Sequence, residues 1–412
     1  MSPTISARDL RLALLTRREV ALLDLRDESA FARAHPLFAG QLPPDRIDVE
    51  TAARVPRRDA LVVVYDDGQG RVAHACDRLG TLGYSRVYAM AGGLAGWRNE
   101  GFELFEDVNS YSKAFGELVE ARRHTPSLSA DEVRALIDDR ANIAILDSRR
   151  FDEYETMSIP TGTSVPGAEL VLRVSAIAPD PATTIIVNCA GRTRSIIGAQ
   201  SLINAGVPNP VVALRNGTMG WRLAGHPLER GQTRRGPEVA AEVASDARRR
   251  ARSVSYRAGV RRLTAPELAA LRANEGRTLY CFDVRGPDEY AVGHPRGFAS
   301  APGGQLVQET DAFAPVRGAR IVLADDLGAR ADMTASWLAQ MAWEVYVLDG
   351  CFDAPLEVGP GPSARPRTAA GRYRRPYEGT DPGADAMQAY LQWEFGLVDQ
   401  LARDGTHGFF VI

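Results

Sequence analysis

The sequence predicts an α/β fold in which one unit of strands and helices is repeated three times in tandem. Two observations predict the repeat. An apolar strand followed by an Asp-x-Arg triplet occurs at Asp24, Asp147 and Asp283. A second apolar strand ends 42 positions after each of these aspartates, at Asp66, Cys189 and Asp325. Strands that alternate with helices form mostly parallel sheets, with functional loops at the strand ends.

Composition narrows the class of protein. The length of 412 residues suits several domains of about 100–150 residues each. The 49 Lys and Arg against 52 Asp and Glu give a net charge of -3, which argues against nucleic-acid binding. The sequence shows neither a membrane-spanning apolar run nor a signal-peptide pattern. Four widely spaced cysteines predict no disulfide framework, and we expect a cytoplasmic protein without a metal or another cofactor.

Each unit begins with a helix start signal. Ser6 begins the first, while Ser129 and Thr264 precede a glutamate by three positions and fit the capping-box pattern. Each unit ends in a Gly-rich turn, which in the third unit is shortened and lacks a tryptophan. The predicted boundaries are 1–104 for unit 1, 105–128 for a helical linker, 129–231 for unit 2, 232–258 for a basic helical linker, 259–357 for unit 3 and 358–412 for a tail.

The segments between and after the units also have predicted structures. The helix in the first linker should end at Pro126, and the basic run Arg248 to Arg250 in the second is interpreted as a solvated face. Residues 358–372 are rich in Gly, Pro, Ala and Arg and are predicted to be irregular. An amphipathic C-terminal helix follows, docked on a domain or a partner. Its apolar stripe is Met387, Tyr390, Leu391, Phe395, Val398 and Leu401.

The stretch from Cys189 to Ser195 carries the chemistry of the chain. It follows an apolar run that predicts a buried strand and precedes an apolar-periodic segment that predicts a helix ending at Gly206. A cysteine at a helix N-terminus meets unpaired backbone N–H groups and the positive end of the helix dipole. Such surroundings can lower a cysteine pKa from about 8.5 to roughly 3.5–7.5. We therefore expect a nucleophilic cysteine in an anion-binding loop.

Taken together, these patterns resemble the rhodanese homology domain. The resemblance rests on the Asp-x-Arg triplets, a Glu-Tyr pair after two of them, the cysteine loop and a Gly-x-x-x-Gly-Trp turn, and it covers residues 1 to about 357. The chain is thus similar to tandem, multi-domain sulfurtransferases of the rhodanese type. The resemblance implies a central, mostly parallel five-stranded sheet flanked by helices in each unit. It also implies a cysteine that cycles through a persulfide.

The candidate site follows from the loop and the resemblance. Cys189 is the predicted nucleophile. The predicted substrate-binding residues are Ala190, Gly191, Arg192, Thr193, Arg194 and Ser195. Loop N–H groups would hold the sulfur, while Arg192 and Arg194 neutralise the charge of the donor. Asp147, Arg149 and Glu153 are predicted supporting residues, with Arg149 paired to Glu153 so that it orders the neighbouring loop.

Units 1 and 3 are predicted to be catalytically silent. Asp66 and Asp325 stand in register with Cys189, and a carboxylate cannot carry a persulfide. Cys76 and Cys281 are interpreted as buried, small apolar residues. The Gly-rich turn around Cys351 would allow this cysteine to be exposed, which leaves a role as a resolving cysteine open.

The predicted reaction is a double displacement. The thiolate attacks the outer sulfur of an anionic donor such as thiosulfate, sulfite leaves, and a thiol or cyanide then takes the sulfur from the persulfide. The loop matches neither family pattern associated with a particular donor, so the donor stays open. One alternative function is a persulfide carrier that serves a protein partner. Another is a cysteine-based phosphatase or arsenate reductase, which is disfavoured because phosphatases place an arginine where this loop has Ser195.

Overall fold

Three parallel sheets flanked by helices form the body of the protein. The computed structural model describes residues 3–361 and 371–412. Part of the predicted irregular segment, 358–372, therefore lies outside the described residues. The central strands are apolar runs that helices cover on both faces, as in Val62–Val64, where all three residues are fully buried.

Unit 1 has the strand order β1-β5-β4-β2-β3, with every pair parallel. A short 3-10 helix, Pro44–Arg46, precedes its third α-helix. In chain order the elements are β1 (Thr4–Ile5), α1 (Ala7–Leu15), β2 (Val20–Asp24), α2 (Glu28–Arg33), β3 (Gly40–Gln41), α3 (Ile47–Arg54), β4 (Leu61–Tyr65), α4 (Arg71–Thr81), β5 (Val87–Met90) and α5 (Gly93–Asn99).

The segment predicted as the first linker contains helix α6 (Ser110–Arg123). Every residue from Ser110 to Val119 is buried, so α6 is an interior element and not an exposed connection. Its aromatic and aliphatic side chains join the core cluster of unit 1. The helix therefore ties the units together instead of spacing them apart.

Unit 2 has the strand order β6-β10-β9-β7-β8, again all parallel. Asp147 at the end of β7 lies opposite Asn188 at the end of β9, which brings the Asp-x-Arg triplet beside the cysteine loop. The elements are β6 (Ser127–Leu128), α7 (Ala130–Asp138), β7 (Ile143–Asp147), α8 (Phe151–Thr156), β8 (Thr163–Ser164), a 3-10 helix (Gly167–Glu169), α9 (Leu170–Ile177), β9 (Thr184–Asn188), α10 (Thr193–Asn204), β10 (Val211–Leu214) and α11 (Gly217–Leu223).

The Arg-rich segment forms α12 (Ala241–Arg257), which packs between α9 and the long helix of unit 3. Ala244, Ala247 and Ala251 are buried, while Arg248, Arg249 and Arg252 are exposed. Unit 3 follows with β11 (Arg261–Leu263), α13 (Ala265–Ala273), β12 (Leu279–Asp283), α14 (Pro287–Val292), β13 (His294–Pro295), β14 (Ala299–Ser300), α15 (Gly303–Gln308), α16 (Thr310–Phe313), β15 (Val316–Arg317), β16 (Arg320–Ala324), α17 (Ala329–Gln340), β17 (Glu344–Leu348) and β18 (Leu356–Glu357).

Units 1 and 3 are interlocked. The third sheet has the order β11-β17-β16-β12-β14, all parallel, but β15 leaves this unit and pairs antiparallel with β2 of the first sheet. One continuous apolar core contains residues of unit 1, α6, unit 3 and the C-terminal helices. The repeated units therefore fold as parts of one body.

The tail forms two consecutive helices, α18 (Ala384–Phe395) and α19 (Leu397–Asp404). The predicted helix is thus interrupted at Gly396. Most of the predicted stripe is buried, but Phe395 is 52% exposed. Across the described residues, the helices are too short or too polar to cross a membrane.

Candidate active site

The cysteine loop is clamped by α11, the helix that replaces the predicted Gly-rich turn. The Cys189 carbonyl accepts hydrogen bonds from the Thr218 amide at 2.8 Å and the Thr218 hydroxyl at 2.9 Å. The Ala190 carbonyl accepts from the Met219 amide at 2.9 Å. Gly217 has a φ of 52°, and a Cβ there would lie 2.4 Å from the Cys189 carbonyl oxygen. Glycine is therefore required where α11 meets the loop.

The Cys189 sulfur lies at the N-terminus of α10 and is almost fully buried, at 2% exposed. Its thiol donates a hydrogen bond to the Ser195 hydroxyl over 3.5 Å, and that hydroxyl donates to the Arg192 carbonyl at 2.8 Å. The backbone N–H of Ser195 also acts on the sulfur. The first turn of α10 therefore supplies the polar contacts that the sulfur has.

Burial controls the acidity of this thiol. It raises the pKa of Cys189 above the ordinary value, although the charge of Arg194 and the Ser195 hydrogen bonds act in the opposite direction. The charge of Glu394 adds to the increase. The predicted low pKa is therefore wrong for this closed arrangement, because the side chains that cover the loop exclude the water that would stabilise a thiolate.

Arg194 forms a two-pronged ion pair with Glu153, with N–O distances of 2.7 and 2.9 Å. Burial alone would raise the pKa of Glu153, but Arg194 holds it at about 2. The predicted pair between Arg149 and Glu153 is therefore wrong. Arg149 folds back onto Asp147, where Nε donates to Oδ1 at 2.9 Å and Nη2 to Oδ2 at 2.7 Å. The short spacing of the triplet favours this local pair over the more distant carboxylate.

All three Asp-x-Arg triplets have this geometry. In unit 1 and unit 3 the arginine Nε lies 2.9 and 3.0 Å from the aspartate Oδ1. Each arginine also donates a hydrogen bond to the backbone carbonyl eight residues after itself. These carbonyls belong to Ala34, Met157 and Gly293. Because units 1 and 3 have these contacts without a cysteine in the loop, the contacts of the triplet do not depend on the cysteine.

Helix α6 supports the other side of the loop. Arg192 donates to both carboxylate oxygens of Glu117 at 2.8 Å, and both side chains are buried. A Cβ at Gly116 would lie 2.7 Å from Cγ2 of Thr193, so α6 touches the loop closely. The guanidinium of Arg192, predicted to neutralise a donor, is thus already neutralised by Glu117.

The tail covers the cysteine loop. Ala190 and Met219 share an apolar cluster with Tyr377, Met387 and other residues of the tail. Glu394, on α18 like Met387, is 1% exposed. The sequence patterns did not predict this cover or the contribution of Lys113 and Glu117 of α6. One available signal was Glu394 itself, because a glutamate in phase with the apolar stripe of a helix needs an unusual environment.

A polar cavity of about 470 Å³ reaches the edge of the site. Its lining includes Arg149, Glu153, Arg194 and Tyr377. A second cavity, of about 530 Å³ and mostly apolar, lies between units 2 and 3 and reaches Thr193 and Arg194 from the other side. Arg194 is therefore the loop side chain that both cavities share.

In units 1 and 3 the aspartate in register with Cys189 accepts hydrogen bonds from the loop amides. Asp66 accepts from the backbone N–H groups of Gly68 at 2.9 Å and Arg71 at 2.8 Å. Asp325 accepts from the amides of Arg330 at 2.9 Å and Ala331 at 3.3 Å. These loops bind an anion that is part of the chain.

The other cysteines lie away from this loop. Cys76 is buried in α4, and Cys281 is partly buried on β12. Cys351, which its Gly-rich turn would have allowed to be exposed, is buried, and burial raises its pKa to about 11. Throughout residues 3–361 and 371–412, no cluster of three or more His, Cys, Asp or Glu side chains could hold a metal ion.

Comparison with known proteins finds one domain family three times. The profile of the rhodanese-like domain matches residues 7–100, 129–224 and 264–355. The crystal structure of a thiosulfate sulfurtransferase from Pseudomonas aeruginosa superimposes with a TM-score of 0.97, at 50% identity, over 100% of both chains. The thiosulfate sulfurtransferase GlpE of Tolumonas auensis is 35% identical over 89 residues, which span 21% of this chain and 80% of GlpE.

Proposed function

Since the chain belongs to the rhodanese-like domain family and is a sulfurtransferase, we propose that it moves a sulfane sulfur from thiosulfate through a persulfide on Cys189. The acceptor is cyanide or a small thiol. The observation that carries the proposal is that Cys189 alone replaces the aspartate that fills the equivalent loop in units 1 and 3. Both relatives named above are thiosulfate sulfurtransferases, which supports thiosulfate as the donor.

Two displacements complete the cycle. The Cys189 thiolate attacks the outer sulfur of thiosulfate, so that a new S–S bond forms and the old one breaks, with its electron pair leaving on sulfite. Cyanide then attacks the outer sulfur of the persulfide, and thiocyanate leaves while the thiolate is regenerated. No oxidant or reductant is needed, because in each step one bond to the transferred sulfur forms while another breaks.

The loop supplies the stabilisation for these steps. The outer sulfur of the persulfide is held by N–H groups at the start of α10, in the place that a carboxylate oxygen takes in the silent loops. Arg194 favours the charged forms of the sulfur, because its charge lowers the pKa of Cys189. Glu153 positions that guanidinium through two hydrogen bonds. The donor approaches through the polar cavity that Arg194 lines.

The first test is turnover of thiosulfate and cyanide to thiocyanate. We expect Cys189→Ser to abolish turnover, because a hydroxyl does not form the persulfide. The matched control is Cys281→Ser, in a cysteine on β12 of unit 3, which should keep the wild-type rate. Turnover that survives in Cys189→Ser would contradict the assignment of the nucleophile.

Two alternatives receive less support. A carrier that passes its persulfide to a protein would need the tail to move, since Cys189 is buried beneath it. Phosphatase chemistry would need an arginine free to bind phosphate, whereas Arg194 is bound to Glu153. Hydrolysis of an aryl phosphate by the wild type, lost in Cys189→Ser, would favour the phosphatase.

A further inference from the structure

The tail places a second ionisable group at the cysteine loop. Glu394 lies on α18, beyond the three segments that match the domain family. Its Oε1 accepts a hydrogen bond from the Tyr390 hydroxyl at 3.2 Å. Its Oε2 is buried and has no hydrogen-bond partner within the described part of the chain. A buried oxygen without a partner is costly, so a role for it in the occupied site is expected.

The unpartnered oxygen lies beside the middle of the loop. A Cβ built on Gly191, two residues after the nucleophile, would lie 3.5 Å from Glu394 Oε2. The same position would lie 3.7 Å from a ring carbon of Tyr390. The charge of Glu394 also acts on the Cys189 thiol. Met219 Cε would lie 2.7 Å from that Cβ position, so only a glycine fits between the loop, the methionine and the carboxyl group.

The charged groups around Glu394 are already paired with other partners. From α6, Lys113 lies 3.0 Å from Asp107, and Glu117 is bound to Arg192 of the loop at 2.8 Å. Burial raises the pKa of Glu394 to about 8, with a further increase from Glu117, against the opposing effects of Lys113, Arg192 and the Tyr390 hydroxyl. At neutral pH the group is therefore mostly a carboxylic acid, which can donate a hydrogen bond.

We propose that protonated Glu394 donates a hydrogen bond from Oε2 to the anionic sulfur group held at Cys189, so that the tail completes the active site. The inference rests on the persulfide function proposed above. The proton stays on Glu394 throughout, and no bond to sulfur is formed or broken by this group. Ionised Glu394 would instead set a negative charge against the donor and the persulfide.

The experiment measures one half-reaction. Protein is loaded with thiosulfate, desalted and mixed with cyanide, and thiocyanate is followed in a single turnover from about pH 6 to about pH 10. The rate of the wild type is divided by the rate of Glu394→Gln at each pH, which cancels the ionisation of cyanide. Glutamine keeps an N–H donor but does not ionise in this range.

We expect the ratio to be near one at about pH 7 and to fall by roughly tenfold per pH unit well above the pKa of about 8. Glu394→Leu, which has no donor, should lower the rate at about pH 7 by roughly 10²–10³. The matched control is Asp385→Asn on the exposed face of the same helix, for which the ratio should stay constant.

A ratio that is independent of pH would overturn the inference, as would a Glu394→Leu protein with the wild-type rate. Glu394→Gln is nearly isosteric, so its ratio decides the matter even where Glu394→Leu fails to fold. If the wild type takes up no sulfur from thiosulfate, the proposed function fails. If all Glu394 variants load and release sulfur like the wild type at every pH, the role of Glu394 alone fails.

Discussion

The loops at Cys189 and at Asp325 share an arginine, its glutamate partner and a helix start, but they differ in what occupies the loop amides. In unit 3 the Asp325 carboxylate accepts from two of these amides and from Nε of Arg330 at 3.0 Å. In unit 2 the Cys189 thiol stands in this place, and a thiol accepts hydrogen bonds only weakly. The loop of unit 3 therefore contains its own anion, whereas the loop of unit 2 leaves its amides without a carboxylate partner.

The largest expected effect comes from making the loop of unit 2 resemble those of units 1 and 3. Cys189→Asp should abolish sulfur transfer, because the nucleophile is lost and a carboxylate fills the amides. Its free energy of unfolding should stay within about 1 kcal/mol of that of Cys189→Ala, since the carboxylate gains hydrogen bonds that offset its burial. Chemical denaturation and the thiocyanate assay measure the two quantities. A Cys189→Asp protein far less stable than Cys189→Ala would show that the loop of unit 2 does not accommodate a carboxylate as the loop of unit 3 does.

The reverse change should not create an efficient site. In a Cys189→Ser background, Asp66→Cys and Asp325→Cys should transfer sulfur at least roughly 10²–10³ times more slowly than the wild type. Each new cysteine keeps a neighbouring carboxylate, Asp67 or Asp326, which disfavours a thiolate. Turnover near the wild-type rate in either double variant would show that the surroundings of the loop matter little.

Replacing the loop arginines Arg194 and Arg330 should have different effects, on turnover in the first case and on stability in the second. Arg194→Ala should lower turnover by roughly 10²–10³, because it removes the charge next to the sulfur. Arg330→Ala should instead lower stability with little change in turnover, since Arg330 binds Glu289, Glu169 and the carboxylates of its own loop. Steady-state rates and melting temperatures of both variants are compared. Equal kinetic losses in the two would contradict the division of roles.

Arg149→Ala should act mainly on stability. Removing one partner of a buried ion pair costs about 3–5 kcal/mol, and Asp147 would be left with an uncompensated charge. Arg285→Ala, the same change in unit 3, is the matched control and should cost a similar amount. A kinetic defect in Arg149→Ala without a lower melting temperature would reveal a direct role for Arg149 in unit 2.

A pH dependence of stability is also expected. Since the folded-state pKa of Glu394 is raised to about 8, the unfolded chain releases this proton first, and stability is lost as the pH rises from the unfolded value towards 8. Glu394→Gln should remove this loss, which is at most about 1.4 kcal/mol per pH unit. Urea unfolding of both proteins from about pH 5 to about pH 9 measures the difference, and parallel curves would contradict the raised pKa.

The fold was accessible from the sequence because its signals are local and repeated. Apolar runs, capping residues and equal spacings predict strands and helices in order, and the comparison with known proteins confirms the three units. The cysteine loop could be placed for the same reason. The amphipathic stripe of α18 predicted docking but not the place of docking, so Glu394 at the loop was missed. The predicted Arg149–Glu153 pair was wrong because sequence spacing does not determine which arginine reaches a carboxylate in a folded loop.

The location of the transferred sulfur tests Cys189 as the nucleophile most directly. The wild-type protein is treated with thiosulfate, digested without reductant and analysed by mass spectrometry. One additional sulfur atom is predicted on the peptide that contains Cys189, and none on the peptides with Cys76, Cys281 or Cys351. Additional sulfur on one of those three cysteines, with Cys189 unmodified, would show that Cys189 is not the residue that forms the persulfide.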